Sequence, residues 1–172
     1  MKSKSLFGLL QGLFTIGMGI MIAGVAAVTI FGVGMNFVNL DFITENVQVE
    51  ANGIGTLENL EALRSPLTIL AVLLVFVILI VVFRLSGKIF KELKNDNLFV
   101  GENVVRLKQV ALLVGSLSIL SSLPSLAMNY VGVTSELYMF DIGYFITALI
   151  IFAFAKVWER ANEIAEENEF TI

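Results

Sequence analysis

The sequence predicts an all-α membrane protein: a four-helix transmembrane bundle with amphipathic cytoplasmic helix extensions and a small extracytoplasmic cap that could hold a β-hairpin. Three observations lead there. Four long apolar stretches fall at about residues 6–33, 67–83, 110–128 and 142–157. Each is about long enough to cross roughly 30 Å of hydrocarbon, which takes around 17–25 helical residues. The chain is 57% hydrophobic, well outside the soluble norm of about 45–50% apolar, and its mean hydropathy is +0.88. Soluble amphipathic helices keep one face polar, which these near-continuous runs do not. Finally, ten of the eleven Lys and Arg residues fall on one side of the implied membrane, and only Arg64 falls on the other. Positive residues near span ends stay cytoplasmic while Asp and Glu count for little, so both termini are expected in the cytoplasm.

The first span is rich in glycine. Gly8, Gly12, Thr15, Gly19, Ala23 and Ala26 recur three or four residues apart, which at about 100° per residue draws one narrow stripe of small side chains. Such stripes let helices approach closely in lipid. Packing within the bundle is the expectation, and a seam between two copies is the alternative. Gly17 and Gly24 lie on the opposite face, so this helix could meet neighbours on two sides. The start, Met1-Lys-Ser-Lys-Ser before an apolar run that contains Val25-Ala26-Ala27, also resembles a cleavable signal peptide. The run continues to Val33, longer than the usual apolar segment of about 7–15 residues, so it is expected to stay as a span.

Residues 34–65 form the only sizeable extracytoplasmic segment. Asn46-Val-Gln-Val-Glu-Ala alternates polar and apolar residues and runs into Asn52-Gly53, a tight-turn signal. Thr56 can cap a short helix through Leu57, Leu60 and Leu63 that ends at Ser65-Pro66. The segment's carboxylates do not follow the spacing of a calcium loop and read as solvated surface.

Pro66 suits the first position of the second helix, with Ser65 as its cap. Past the span, in the cytoplasmic loop 84–109, Arg84, Lys88 and Lys91 share one face while Leu85, Ile89 and Leu93 share another. That is the layout of a helix whose cations snorkel to lipid headgroups. Asn95-Asp96-Asn97 is a turn cluster. In the third helix Ala111, Gly115, Ser118, Ser122 and Ser125 make a second small-residue stripe. Pro124 cannot donate to the Leu120 carbonyl and predicts a kink there. The fourth helix starts at Asp141, a natural cap, and exits at Lys156, Trp158 and Arg160. The tail 158–172 is acidic, with Glu163, Glu166 and Glu167 among its charges.

Several chemistries lack their residues. Cysteine and histidine are absent, which removes thiolate zinc sites, disulfides and imidazole acid–base catalysis. No ionisable residue occupies the middle of any span, against the habit of pumps and proton-coupled carriers. No catalytic, cofactor or metal site is predicted, and the protein is expected not to be an enzyme. Acidic and basic residues are mixed on the cytoplasmic side, so direct nucleic-acid binding is not expected.

The segment Asn97-Leu-Phe-Val-Gly-Glu-Asn-Val-Val-Arg-Leu-Lys-Gln-Val-Ala and the ending Trp158-Glu-Arg-Ala-Asn-Glu-Ile-Ala-Glu-Glu-Asn-Glu-Phe-Thr-Ile resemble a bacterial family of proteins of unknown function. Phe99, Asn103, Arg106 and Leu107 match its Phe followed by an Asn-x-x-Arg-Leu segment, and the acidic tail ends as the family's does. The resemblance covers about residues 84–172; the first half is similar in layout only, and Leu98 stands where a proline often precedes that Phe. It implies a four-span protein of the bacterial cytoplasmic membrane, often encoded beside a small repressor-like helix-turn-helix regulator.

The leading functional expectation is therefore a membrane protein whose cytoplasmic face binds a partner, that regulator being the candidate. Arg84, Lys88, Lys91, Lys94, Phe99, Asn103, Arg106, Glu163, Glu166 and Glu167 are the expected contacts to partner or to anionic headgroups. At rest, Lys88, Lys91 and Lys94 could pair with Glu163, Glu166 and Glu167. Gly8, Gly12, Gly19, Ala23, Gly115, Ser118 and Ser122 are the expected helix-packing positions, with homo-oligomer formation open. The alternatives are an immunity or envelope-stress protein against membrane-active peptides, mapping to residues 36–65, and a small channel or carrier using Ser118 and Ser122.

Overall fold

The structure, a computed structural model, describes residues 2–37, 64–97, 100–133 and 139–169. They form five helices: α1 (Lys2–Gly34), α2 (Pro66–Lys94), α3 (Gly101–Leu120), α4 (Leu123–Tyr130) and α5 (Ile142–Glu169). Four helical segments are long and apolar enough to cross a membrane, α3 and α4 counting together as one. The described residues contain no strand. Residues 38–63, which hold the expected β-hairpin and the short helix after Thr56, lie outside them, as does Phe99.

α1 and α2 are antiparallel, and aromatic rings set their separation. Phe76, Phe83 and Phe90 recur every seven residues on α2. A Cβ added at Gly24 would come within 2.7 Å of the Phe76 ring, and one at Gly17 within 2.3 Å of the Phe83 ring. Phe14 then stacks on Phe90 with centroids 5.3 Å apart and tilts against Phe83 at 5.7 Å. A seven-residue repeat keeps one face of a helix against its partner when the pair crosses at a small left-handed angle. Packing on α2 is thus carried by the Gly17–Gly24 face. The stripe expected to do so stands elsewhere: Gly12 and Gly19 face open space, Ala23 is exposed, and Gly8 meets only the stem of Lys94.

The opposite face of α2 packs on α3 and α4, and α3 packs on α5. The helices therefore lie in a row, with α1 and α5 at its edges. The core gathers where α2, α3 and α5 converge: Val110, Val114 and Ala148 are buried, with Val82, Leu85, Tyr144 and Ile151 around them. On α3, Asn103, Val110 and Leu117 are buried at seven-residue spacing, matched on α5 by Ala148, Ala155 and Asn162. Gly115 admits α5 closely, since its Cβ position lies 3.4 Å from that of Ala148. The third span is the most enclosed, with 39% of its apolar window buried against 6% for the first. Large side chains such as Leu9, Ile16, Leu70, Leu112 and Phe154 are left exposed, as a lipid-facing surface requires.

Helix ends follow local chemistry. Ser65 occupies the cap position of α2, yet its hydroxyl makes no capping bond; Pro66 in the first turn removes one N–H that would have needed a partner. α2 stops at Asn95-Asp96-Asn97. Asp96 adopts φ 64°, the Asn97 N–H reaches the Glu92 carbonyl at 3.0 Å and the Asp96 N–H the Leu93 carbonyl at 3.3 Å. These are the two bonds of a Schellman stop. α4 ends the same way, with Gly132 at φ 89°. The break between α3 and α4 falls at Ser121-Ser122, and Pro124 lies in the first turn of α4. α5 begins at that break: the Asp141 N–H donates to the Ser118 carbonyl at 2.7 Å. The Asp141 carboxylate caps α5, accepting from the N–H of Gly143 at 2.8 Å.

Candidate functional site

The antiparallel order brings nearly all the described cations to one end of the molecule, while Arg64 bonds the Met35 carbonyl at the other. At this basic end two different surfaces form, one on each side of α2.

The first is a polar corner built by the α2 stop, the start of α3 and the exit of α5. Asn103 is fully buried. Its Nδ2 donates to the Asn97 carbonyl at 3.4 Å, and its Oδ1 accepts from Arg106 Nη1 at 3.0 Å. The other arm of Arg106 pairs with Glu102 one turn earlier. Asn97 in turn donates to Glu92 at 2.9 Å. The turn, the helix start and one guanidinium are thus locked together by a single buried amide. Leaving such a group without partners costs about 1–3 kcal/mol, so its bonds fix the local geometry. Lys108 then crosses to Glu159 on α5 at 2.6 Å, and Lys156 joins the same carboxylate at 2.9 Å. Past the apolar stretch that ends at Val157, the hydrogen bonds from Lys108 and Lys156 hold the Glu159 carboxyl below its ordinary value. Arg160, bonded to Glu163 at 2.7 Å, is held above its own by that bond and by the nearby Glu167.

Among the expected site residues, the structure brings Asn103 and Arg106 together and places the exposed Glu163, Glu166 and Glu167 along α5. The expected resting pair between Glu163 and the α2 lysines is replaced by Glu163–Arg160 within one helix, because residues three apart meet without any tertiary contact. Lys94 instead lays its stem over Gly8, and Lys4 pairs with Asp96.

The second surface is a groove between α1 and α2. Arg84, Lys88 and Lys91 line it from α2, across from Gln11, Phe14 and Met18 of α1.

At the opposite end, a cavity of about 500 Å³ opens between the α3–α4 break and the start of α5, lined by Ser121, Ser122, Ser125, Asp141 and Tyr144. Of the two serines expected to line a path, Ser122 borders this cavity and Ser118 does not. Both are buried, and their hydroxyls donate to the Gly115 and Ile119 carbonyls three residues earlier at 2.6 Å. This is the back-bonding that hydroxyls adopt inside helices.

Sequence reasoning overlooked Asn162 and Thr68. Asn162 lies in a segment that reads as solvated tail, yet only 8% of it is exposed. Its signal was the small-residue repeat Ala148, Ala155, Asn162. Thr68 is fully buried near the start of α2. Neither Thr68 Oγ1 nor Asn162 Oδ1 has a partner among the described residues.

A family model described as "Protein of unknown function (DUF2975)" matches residues 51–172, which include α2 to α5 and both surfaces of the basic end except the α1 wall of the groove. No curated protein and no solved structure matches the chain.

Proposed function

We propose that this chain, which belongs to the DUF2975 family of proteins of unknown function, is a non-enzymatic protein of the bacterial cytoplasmic membrane whose basic end faces the cytoplasm and docks a protein partner. The observation that carries this reading is the buried Asn103, which fixes Arg106 in place at the foot of α3. A side chain ordered before contact spares a complex part of the entropy of ordering it.

The charge pattern supports a protein partner for this corner. Glu102, Arg106, Lys108, Glu159, Arg160 and Glu163 intermix three acids and three bases over the ends of α3 and α5. An anionic bilayer attracts such cations but repels the acids beside them. Mixed charge at an interface instead sets register and speeds encounter. The helix-turn-helix regulator implied by the family resemblance is the partner we assign, an association that enters as a lead and not as geometry.

The test is retention of that regulator by the detergent-solubilised full chain. Wild type should hold it, and the double variant Arg106→Glu, Arg160→Glu should weaken binding at least tenfold, about 1.4 kcal/mol. No retention by wild type, or equal retention by the variant, rejects the reading. For the channel alternative, Ser122 borders the outer cavity, but its hydroxyl and that of Ser118 are both engaged by α3 carbonyls. Most of the segment on which the protective alternative rests lies outside the described residues.

A further inference from the structure

Five of the cations at the basic end have a carboxylate partner: Lys4, Arg106, Lys108, Lys156 and Arg160. Arg84, Lys88 and Lys91 have none among the described residues, and all three are exposed on one face of α2. They border a groove of about 170 Å³ whose floor is apolar. The groove exists because Gly87 leaves a gap beside Phe14: a Cβ there would lie 3.7 Å from the Cβ of Phe14. Phe83, turned into the space above Gly17, and Met18 extend the floor toward the middle of the span.

Depth decides what can occupy it. At about 1.5 Å per residue, Arg84 stands about 27 Å along α2 from Pro66 and Lys91 about 38 Å. A hydrocarbon core is roughly 30 Å thick. The three cations therefore straddle the boundary between acyl chains and headgroups, with the aromatic floor on the acyl side. A water-soluble anion meets only the outer part of such a groove, whereas a lipid has both halves of the complement.

We propose that the groove binds one anionic phospholipid from the leaflet on the basic side. Its phosphate sits among Arg84, Lys88 and Lys91, and one acyl chain lies over Phe14, Met18 and Phe83. The arginine supplies paired N–H donors to the phosphate oxygens, and the lysines supply compact charge. Gln11, on the opposite wall, offers an amide to the neighbouring ester or glycerol oxygens. This assignment does not depend on the docking partner, whose surface lies across α2.

Native mass spectrometry of the full chain, purified with phosphatidylglycerol and phosphatidylcholine in equal amounts, tests it. Wild type should retain one phosphatidylglycerol per chain. The triple variant Arg84→Gln, Lys88→Gln, Lys91→Gln should lose at least five-sixths of that occupancy. A control with the same charge change, Lys4→Gln, Lys108→Gln, Lys156→Gln, should keep it. Gly87→Leu, which fills the groove and leaves every charge, should also lose it, and this result stands if the triple variant fails to fold. Excess glycerol phosphate should not compete. Equal loss in groove and control variants, unchanged retention in Gly87→Leu, equal retention of phosphatidylcholine, or displacement by glycerol phosphate would each overturn the proposal.

Discussion

Gly17 and Gly24 have no room for a side chain, because the Phe83 and Phe76 rings fill the space a Cβ would take. Gly12 and Gly19, on the same helix, have nothing within 4 Å. Substituting leucine at each pair separates packing from propensity. Gly17→Leu or Gly24→Leu should destabilise the purified chain by about 1–3 kcal/mol, the usual cost of overfilling a packed contact. Gly12→Leu and Gly19→Leu should not lower it. Thermal unfolding in detergent reads the difference, and equal losses at all four positions would contradict the seam described here. The sequence showed both glycine faces but not which one α2 uses. That choice depends on the seven-residue run of Phe76, Phe83 and Phe90, which reads alone as ordinary apolar span. Asn103 was visible through its family pattern; that its amide is buried and holds Arg106 was not, since burial depends on how α2 turns into α3. The pairing of Lys88, Lys91 and Lys94 with the acidic tail was expected from opposite charge alone, and charge complementarity says nothing of distance.

Among the elements, the pair α3–α4 shows how a proline can interrupt a span at small cost. Pro124 sits in the first turn of α4, where its missing N–H breaks no established ladder, and the break occurs just before it at Ser121-Ser122. Pro124→Ala should therefore change stability by less than about 1 kcal/mol, far from the roughly 3 kcal/mol of a proline inside a continuous helix. A gain near the larger figure would mean that α3 and α4 strain toward a single rod. The break itself was legible from Pro124, and the cap of α5 from Asp141. What the residues could not announce is that the Asp141 N–H reaches the Ser118 carbonyl. Joining the outer start of one helix to the outer end of another requires the antiparallel register of α3 and α5, along which Gly115, Ala148 and Ala155 allow close approach.

For the whole molecule, the four spans and the gathering of positive charge at one end followed from length, hydropathy and the position of Arg64. The arrangement in a row did not, because apolar runs look alike whether they face a neighbour or lipid. Orientation is open to a clean experiment, since the chain contains no cysteine. Single substitutions Asn36→Cys and Asn95→Cys, at opposite ends of the α1–α2 pair, should behave oppositely toward a membrane-impermeant maleimide. Asn36→Cys should label in intact cells, and Asn95→Cys only after permeabilisation. The reverse pattern would place the docking corner and the phospholipid groove on the wrong side of the membrane.

α1 meets its neighbours chiefly through one seam, while α5 supplies the partner of Lys108 and the N–H that satisfies the Ser118 carbonyl. Stripping away α1 would bare three phenylalanine rings, which fatty chains wet without complaint. Stripping away α5 would leave the Ser118 carbonyl without its donor and the Lys108 ammonium without its carboxylate. The two edge helices thus differ in kind, the opening one held by rings seated on glycines and the closing one tied by polar bonds as well, and the family match, which starts at residue 51, takes in the second but not the first.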